Sequence, residues 1–254
     1  MLIDTHSHIY SEDFNTDIDE VVQNAYNNDI KKIVLPNIDS GTIKRLVDLS
    51  VSYPHICYPL MGLHPTSVST DYKEELKAVE YWLDKHKFYG IGEIGIDLYW
   101  DSTYKKEQED AFRYQIKLAK SLQLPIVIHL RNSFNEVYEI VKEEQDGSLK
   151  GIFHCFSGNE DEAEKIIDLG FLLGIGGVLT FKNSKLSEVI KKMDLKHLVL
   201  ETDAPYLTPV PKRGRRNESS FLVYIAQKLA ETFQIPVEKV AKITTSNARE
   251  LFGI

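Results

Sequence analysis

The chain has 254 residues, of which 43% are hydrophobic, and its 14 glycines and 9 prolines are spread along its length. A chain of this size buries a full core as one domain of α/β-barrel dimensions, and its composition excludes a largely disordered protein. The net charge of −8 excludes a surface that coats nucleic acid generally, because such a surface needs an extended basic face.

The sequence also bears on location and redox state. No apolar run reaches the ~18 residues of a membrane span. The N-terminus lacks a basic segment followed by a signal-type apolar stretch, so we expect a cytosolic protein with no membrane contact and no obligatory protein partner. Cys57 and Cys155 lie far apart without Cys-x-x-Cys spacing, which predicts two reduced, buried thiols and no structural zinc finger.

Short apolar runs alternate along the chain with stretches of helical periodicity, at intervals of roughly 30 residues. Continuous Val, Ile and Leu runs are typical of strands buried on both faces of a parallel sheet. The predicted strands are Leu2–Thr5, Lys32–Leu35, Cys57–Met61, Tyr89–Glu93, Ile126–His129, Gly151–His154, Phe171–Ile175 and His197–Leu200. The predicted helices include Asp17–Asn28, Glu107–Leu122, Ser133–Glu144, Glu160–Leu169 and Ser184–Met193.

Eight β-α units fit this alternation. An open doubly wound sheet explains it equally well but usually carries a glycine-rich phosphate loop after its first strand, where this chain has Asp4–His8. Two further helical segments, Phe221–Phe233 and Val237–Leu251, are placed to close and cap a barrel. We therefore predict an α/β protein with a single closed (β/α)8 TIM-barrel domain over residues 1–254 and extra C-terminal helices.

The first predicted strand ends in the pair His6 and His8. On a strand, residues at positions i and i+2 share one face and lie about 6.6 Å apart, close enough to hold one metal ion. Taken alone, such a pair is more often two polar side chains in a β-turn than a metal site.

Other metal-competent side chains fall at the ends of other predicted strands. In a barrel of this type, functional groups gather at the C-terminal strand ends. Three histidines, His55, His86 and His197, lie elsewhere and are expected to be structural. The predicted rim consists of His6, His8, His64, Glu93, His129, His154 and Asp203.

The number of ligands indicates how many ions are bound. His64 is the weakest of the seven rim residues as a ligand. The other six are too many ligands for one tetrahedral ion that keeps a position open for water. Two ions bridged by a carboxylate, about 3.5 to 4 Å apart, polarise a phosphoryl or carbonyl oxygen and activate a shared water. The expected cofactor is therefore two divalent metal ions, with Mg²⁺ or Zn²⁺ ahead of Mn²⁺, Fe²⁺ or Ni²⁺, since imidazole and carboxylate ligands do not single out one metal.

Basic side chains near the same rim point to a phosphate-containing substrate. Arg131 shares a strand face with His129 and is placed to hold a phosphate oxygen, although a surface ion pair is the alternative. Lys182 follows the seventh strand, where TIM barrels often bind phosphate. The segment Lys212–Arg216 follows the eighth strand; a solvated loop is its alternative.

Three other side chains are candidates for substrate contact. His64, in the segment Gly62–Pro65, has a role in substrate or ligand support or else forms a polar turn. Tyr99 and Trp100 follow the fourth strand and either stack on bases or pack against the barrel edge.

With these residues in view, the chain resembles the TatD family of metal-dependent deoxyribonucleases, within the amidohydrolase-like TIM-barrel group. The resemblance covers nearly the whole length and depends on the order and spacing of motifs that are weak individually. The motifs are Asp4–His8, Gly62–Pro65, Gly92–Asp97, Ile128–Arg131, Phe153–Gly158, Glu201–Tyr206 and Arg216–Glu218.

The resemblance implies a role for each site residue. His6, His8 and Asp203 would bind one metal, His129 and His154 the other, and Glu93 would bridge them. Glu93 and Asp203 would be catalytic, with Asp203 handling the proton of the attacking water. Glu201 would orient a ligand, although a turn cap is its alternative. His64, Arg131 and Lys182 would contact substrate.

The implied reaction is hydrolysis of phosphodiester bonds in DNA, removing nucleotides from the 3′ end of single strands in a magnesium-dependent way. Two positions depart from the family pattern. Thr66 occupies the position after His64-Pro65 where the family often has a second histidine. Ser219 occupies the position after Arg216-Asn217-Glu218 where the family often has a proline. We expect the first to affect a substrate contact and the second only a loop.

Two other functions use the same rim. A small-molecule amidohydrolase, lactonase or phosphoesterase would use the same two metals, often with a carbamylated lysine as the bridge, whereas this chain supplies Glu93. A metal-binding scaffold without turnover would be expected to lack a ligand or the water-handling acid, and the sequence retains both.

Overall fold

The computed structural model describes residues 1–254, in which eight strands alternate with nine α-helices and five short 3₁₀ helices lie between them. The strands are β1 (Leu2–Asp4), β2 (Ile30–Leu35), β3 (Cys57–Pro59), β4 (Ile91–Asp97), β5 (Ile126–Arg131), β6 (Gly151–Phe153), β7 (Leu172–Ile175) and β8 (Leu198–Leu200). The helices are α1 (Ile18–Asn27), α2 (Ile43–Ser52), α3 (Tyr72–Lys85), α4 (Lys105–Leu122), α5 (Phe134–Glu144), α6 (Glu160–Asp168), α7 (Leu186–Ile190), α8 (Leu222–Phe233) and α9 (Val237–Phe252).

All paired strands are parallel, and sequential strands are neighbours, in the orders β1-β2-β3 and β4-β5-β6-β7-β8. Two parallel bridges join these groups: Met61 pairs with Ile91, and Ser7 pairs with Ala204. The Thr5 amide also donates to the Leu200 carbonyl oxygen at 3.0 Å. The strands therefore form the predicted (β/α)8 barrel, with the first and last strands meeting along the Ser7–Ala204 seam.

Two strands, β4 and β5, extend beyond their predicted C-terminal ends. β4 was expected to end at Glu93 and continues to Asp97, and β5 was expected to end at His129 and continues to Arg131. Both strands continue because Asp97 and Arg131 are still paired in the sheet register. The C-terminal helices α8 and α9 are confirmed, and α7 is shorter than the predicted helix. The longer strands carry extra polar side chains to the C-terminal rim.

The interior of the barrel is apolar at its N-terminal end. Side chains from six strands pack there against Ala248 and Phe252 of α9, which covers that end. A second and larger apolar cluster lies between the strands and the outer helices. The strands contribute Ile3, Val34, Tyr58, Val127, Ile152 and Val199 to this inner cluster, and Leu60 joins it directly after β3.

Both cysteines are free thiols, as predicted. Cys57 is buried, whereas Cys155 is only partly buried and so differs from the expectation. Among the helices, none combines the length and the apolar character that crossing a membrane requires.

Gly95 allows β4 to approach β5 closely. Its φ is +147°, and a Cβ placed there would lie 1.9 Å from the carbonyl oxygen of His129. Gly147 has a φ of +91° but open space around the same position. A side chain at either position would strain the backbone, but only at Gly95 would it also clash with a neighbouring strand.

We predict that Gly95→Ala lowers the free energy of unfolding by at least ~4 kcal/mol, because the strands must move apart. Gly147→Ala should lose only ~1–2 kcal/mol, the cost of the left-handed backbone. Urea unfolding followed by circular dichroism measures both. Equal losses in the two variants would contradict the close approach at Gly95.

Candidate metal centre

The carboxylate of Glu93 lies at the centre of a buried cluster at the C-terminal rim. Its Oε2 atom is 3.0 Å from His6 Nε2 and 3.5 Å from His8 Nε2. Its Oε1 atom is 2.8 Å from His129 Nδ1 and 3.0 Å from His154 Nε2. The two carboxylate oxygens therefore face different imidazoles.

Asp203 completes one side of the cluster. His6 Nε2 and His8 Nε2 are 3.1 Å apart, and each is 3.7 Å from Asp203 Oδ1. The barrel seam sets this arrangement, because the Asp203 amide donates to the His6 carbonyl oxygen at 2.9 Å. Asp203 has a φ of +57°, a conformation that aspartate tolerates better than most residues. Closure of the barrel thus brings together residues from the two ends of the sequence.

Hydrogen bonds on the far side of His8 determine which nitrogen faces the cluster. The Tyr10 hydroxyl donates to the Pro36 carbonyl oxygen at 2.6 Å. That hydroxyl must therefore accept from His8 Nδ1, which lies 3.1 Å away. His8 Nε2 is then left with its lone pair toward His6 and Asp203.

His154 is oriented in the same way by Glu201. Glu201 Oε1 accepts from His154 Nδ1 at 3.2 Å and from the Cys155 amide at 2.5 Å. Gly174 makes room for this carboxylate, since a Cβ there would lie 2.2 Å from Glu201 Oε2. Glu201 is the residue predicted to orient a ligand, and the ligand that it contacts is His154.

Asp97 has the equivalent position for His129, and the sequence analysis assigned it no role. Asp97 Oδ2 accepts from His129 Nε2 at 2.9 Å, so His129 Nδ1 is the nitrogen that faces Glu93. Asp97 lies four residues after Glu93 on β4, and even spacing on a strand places both on one face. The even spacing could have identified Asp97 from the sequence, but the predicted strand ended at Glu93.

The donor set fits divalent metal ions. Imidazole nitrogens and carboxylate oxygens face each other at close range, and such acceptor groups repel unless positive charge lies between them. Hydrogen bonding of the far imidazole nitrogen to a carboxylate or hydroxyl is usual for metal-ligating histidines. Three groups of potential ligands overlap in this cluster: His6, His8 and Asp203; His6, Glu93 and His154; and His64, Glu93 and His129.

The ionisation of the cluster supports the same conclusion. Burial acts to raise the pKa of Glu93, yet that pKa lies well below its usual value because His154 and His6 are close. Burial acts to lower the pKa of His154, but Glu93 and Glu201 raise it well above its usual value. Burial raises the pKa of Asp203 to about 6. The carboxylates and imidazoles of this buried cluster therefore require positive charge among them.

His64 joins the cluster from the loop after β3. Its Nε2 lies 3.5 Å from Glu93 Oε1, and its Nδ1 lies 2.7 Å from the Thr66 hydroxyl. Thr66, which departs from the family pattern, therefore orients His64. The ring of His64 therefore lies at the edge of the cluster, beside Glu93.

The basic residues predicted to contact phosphate differ in their availability. Arg131 is exposed, forms no ion pair, and its guanidinium lies 3.7 Å from the centre of the Tyr99 ring. Lys182 is exposed and forms neither a hydrogen bond nor an ion pair, and the structure does not bring it into the cluster. Arg216 is bound to the Asp17 carboxylate at 2.6 Å, so it is not free for a phosphate as the sequence analysis expected. Arg213 packs over the Phe181 ring.

Two further residues that were not predicted support the site. Asp4 is fully buried and accepts from the Thr202 amide at 2.9 Å and the Thr202 hydroxyl at 2.6 Å. It thereby fixes the backbone next to Asp203. Tyr10 supports His8, as described above. The histidines expected to be structural, His55, His86 and His197, lie outside the cluster.

Comparison with known proteins places this chain among metal-dependent hydrolases. The family described as TatD related DNase matches residues 3–253. The uncharacterised metal-dependent hydrolase YabD of Bacillus subtilis is 40% identical, with all of both chains covered. The uncharacterised metal-dependent hydrolase TatD of Mycobacterium tuberculosis is 34% identical over 83% of this chain and 81% of its own. The crystal structure of YjjV, a TatD homologue from Escherichia coli, has a TM-score of 0.92 and 29% identity over 100% of this chain and 98% of that chain.

We predict that Glu201→Gln lowers the affinity for Zn²⁺ by about 10- to 100-fold, because the neutral amide holds His154 less firmly. Competition with a chromophoric chelator measures the affinity. The control is Glu188→Gln, an exposed glutamate without an ion pair, which should bind as the wild type does. An unchanged affinity in Glu201→Gln would contradict this support role.

Proposed function

The chain belongs to the TatD-related DNase family and is a metal-dependent hydrolase, and from that premise we propose that it hydrolyses phosphodiester bonds in DNA. More narrowly, we propose a 3′-to-5′ exodeoxyribonuclease that acts on single strands. The observation that carries the proposal is the position of Glu93, with each oxygen facing separate imidazoles. A centre built in this way suits two divalent cations.

The proposed ligands follow the geometry on the two sides of Glu93. His6, His8 and Asp203 would hold one cation, His129 and His154 the other, and Glu93 would contact both. When bound, the cations would supply Lewis acidity and a water that is deprotonated at neutral pH. Mg²⁺ and Zn²⁺ are the leading candidates, since this donor set suits several divalent metals.

Asp203 is the residue best placed to receive the proton of the attacking water. Its side chain is 15% exposed, compared with 3% for Glu93, so water reaches it more easily. Glu93 would stay ionised and hold its place among the imidazoles. The difference in exposure supports separate roles for the two carboxylates.

Arg131 supports a substrate that carries negative charge. Its guanidinium has no carboxylate partner, so its donors are available to a phosphate oxygen. His64 would add a contact from the other side of Glu93. Lys182 has no partner to displace and would contact the substrate further out on the rim. We place Arg131 first among these, because it is the last residue of β5, which also carries His129.

The depth of the centre supports a single strand over a duplex. His6 is fully buried and His8 and His154 are only 5% and 6% exposed, so the centre is recessed below the rim. A strand end can bend into such a recess, whereas a duplex carries its second strand with it. The 3′-to-5′ polarity is part of the proposal that rests on the family resemblance and not on the geometry of the centre.

We predict that Asp203→Asn and Glu93→Ala each lower kcat/KM on 5′-labelled single-stranded DNA by at least ~10³-fold. Thermal unfolding should remain cooperative in both variants, because the apolar core lies at the other end of the barrel. The control is Asp168→Asn, at an exposed position at the end of α6, which should retain full activity. A ladder shrinking from the 3′ end identifies the exonuclease.

Persistent activity in either variant would refute the assigned site. A panel of lactone, amide and small phosphoester substrates belongs in the same assay. Intact DNA together with cleavage of one of these compounds would replace the DNase proposal with a small-molecule hydrolase on the same centre.

We also predict that exhaustive chelation abolishes activity and lowers the apparent Tm, since a ligand present at 100 times its Kd stabilises the native state by about 2.7 kcal/mol. Two equivalents of cation per chain should restore both properties. Elemental analysis and differential scanning calorimetry measure the content and the stability. Full activity in protein verified to be metal-free would contradict the proposal.

A further inference from the structure

We propose that Tyr99, Trp100 and Arg131 form a subsite that binds one nucleobase and its phosphate beside the candidate metal centre, an inference that rests on the proposed function. We call these three residues the aromatic platform. The subsite would hold the strand through a stacked base on Trp100 and through a phosphate on Arg131.

The platform exposes an unusual amount of aromatic surface. Trp100 is 70% exposed and Tyr99 is 51% exposed. Trp100 is the most exposed large hydrophobic side chain of the protein. The two rings meet edge to face, with their centroids 5.0 Å apart. A packing role would bury these rings against the barrel edge, so their exposure favours a contact with a ligand.

Arg131 holds the rings in place while leaving its own donors free. Its guanidinium carbon lies 3.7 Å from the Tyr99 ring centre and 5.1 Å from the Trp100 ring centre. Cation–π contacts of this kind orient both partners without using the N–H groups at the guanidinium edge. An arginine held on an aromatic face therefore suits a ligand that combines a planar ring with an anion.

Asp97 joins the platform to the metal centre. Asp97 Oδ1 accepts from the Tyr99 amide at 2.9 Å, while Oδ2 accepts from His129 Nε2 at 2.9 Å. Asp97 is also directly opposite Arg131 in the backbone register of β4 and β5. One buried carboxylate thus fixes both the platform and a proposed metal ligand. Arg131 lies two residues beyond His129 on β5, about 6.6 Å along the strand, so the platform is next to the candidate centre.

A cavity beside Trp100 has the size for one planar heterocycle. Its volume is about 190 Å³, and its lining includes Thr66, Asp97, Trp100 and Tyr104. That volume corresponds to about six water molecules at about 30 Å³ each. Two residues of this lining contact histidines of the candidate centre: Thr66 lies beside His64, and Asp97 accepts from His129.

Stacking predicts binding that tolerates any base, because every nucleobase presents a π-face. Loss of one stacked base is expected to weaken binding by about 5- to 150-fold. The platform would therefore set affinity for the strand end without reading its sequence.

The first test uses fluorescence, because the chain has only 2 tryptophans. Trp82 lies on α3 and stacks on His86, away from the platform. In a Trp82→Phe variant, Trp100 is the only tryptophan. Metal-free Trp82→Phe should show quenching with a short single-stranded oligonucleotide and little quenching with a matched abasic oligonucleotide. Equal signals with the two ligands would overturn the stacking role.

The second test separates KM from kcat in the metal-loaded enzyme. Trp100→Ala should raise KM for single-stranded DNA by about 5- to 150-fold with kcat nearly unchanged, and Trp100→Phe should recover most of the loss. The control is Tyr81→Ala, which removes a ring that is 60% exposed on α3. It should leave both constants unchanged.

The outcomes distinguish the two proposals. Wild-type enzyme that neither binds nor cleaves any oligonucleotide would overturn the DNase proposal and the subsite together. Wild-type enzyme that cleaves DNA, with Trp100→Ala equal to it in KM, would overturn the subsite alone. A fall in kcat with no change in KM would also overturn it, because that result indicates a disturbed metal centre.

Discussion

The buried carboxylate of Glu93 is the constraint on which the whole centre depends. An ionised carboxylate costs several kcal/mol to bury unless partners offset its charge. In this barrel the partners are imidazoles delivered from β1, β5 and β6, which reach one point only because parallel strands all end at the same rim. The fold therefore determines which groups surround the charge of Glu93. Positive charge between the carboxylate and the imidazoles offsets the cost of burying that charge.

One end of the barrel interior is apolar and the other is polar. Substitutions in the polar cluster therefore leave the apolar packing at the N-terminal end in place. At the N-terminal end, α9 seals an apolar interior with Ala248 and Phe252. At the other end, the seam between Ser7 and Ala204 positions Asp203 opposite His6 and His8. Three of the histidines are then oriented from behind: His8 by Tyr10, His129 by Asp97 and His154 by Glu201.

Much of this arrangement was predictable from the sequence, because strand ends in a parallel barrel converge whatever the details of packing. The positions of His129, His154 and Asp203 after apolar runs were enough to predict a shared rim. Glu201 was predicted to orient a ligand, but the other supporting contacts were not predicted, because they depend on side-chain directions. Asp97 lay beyond the predicted end of β4, and Arg216 is held by Asp17, 199 residues away. Propensity and periodicity contain no information on such distant pairs.

The central claim is that Glu93 lies between two cations. The most direct measurement is a crystal structure of the metal-loaded protein with data collected above and below the absorption edge of Zn²⁺ or Mn²⁺. Two anomalous peaks are expected on either side of the Glu93 carboxylate, one beside His6, His8 and Asp203 and the other beside His129 and His154. A single peak, or a peak remote from Glu93, would contradict the account.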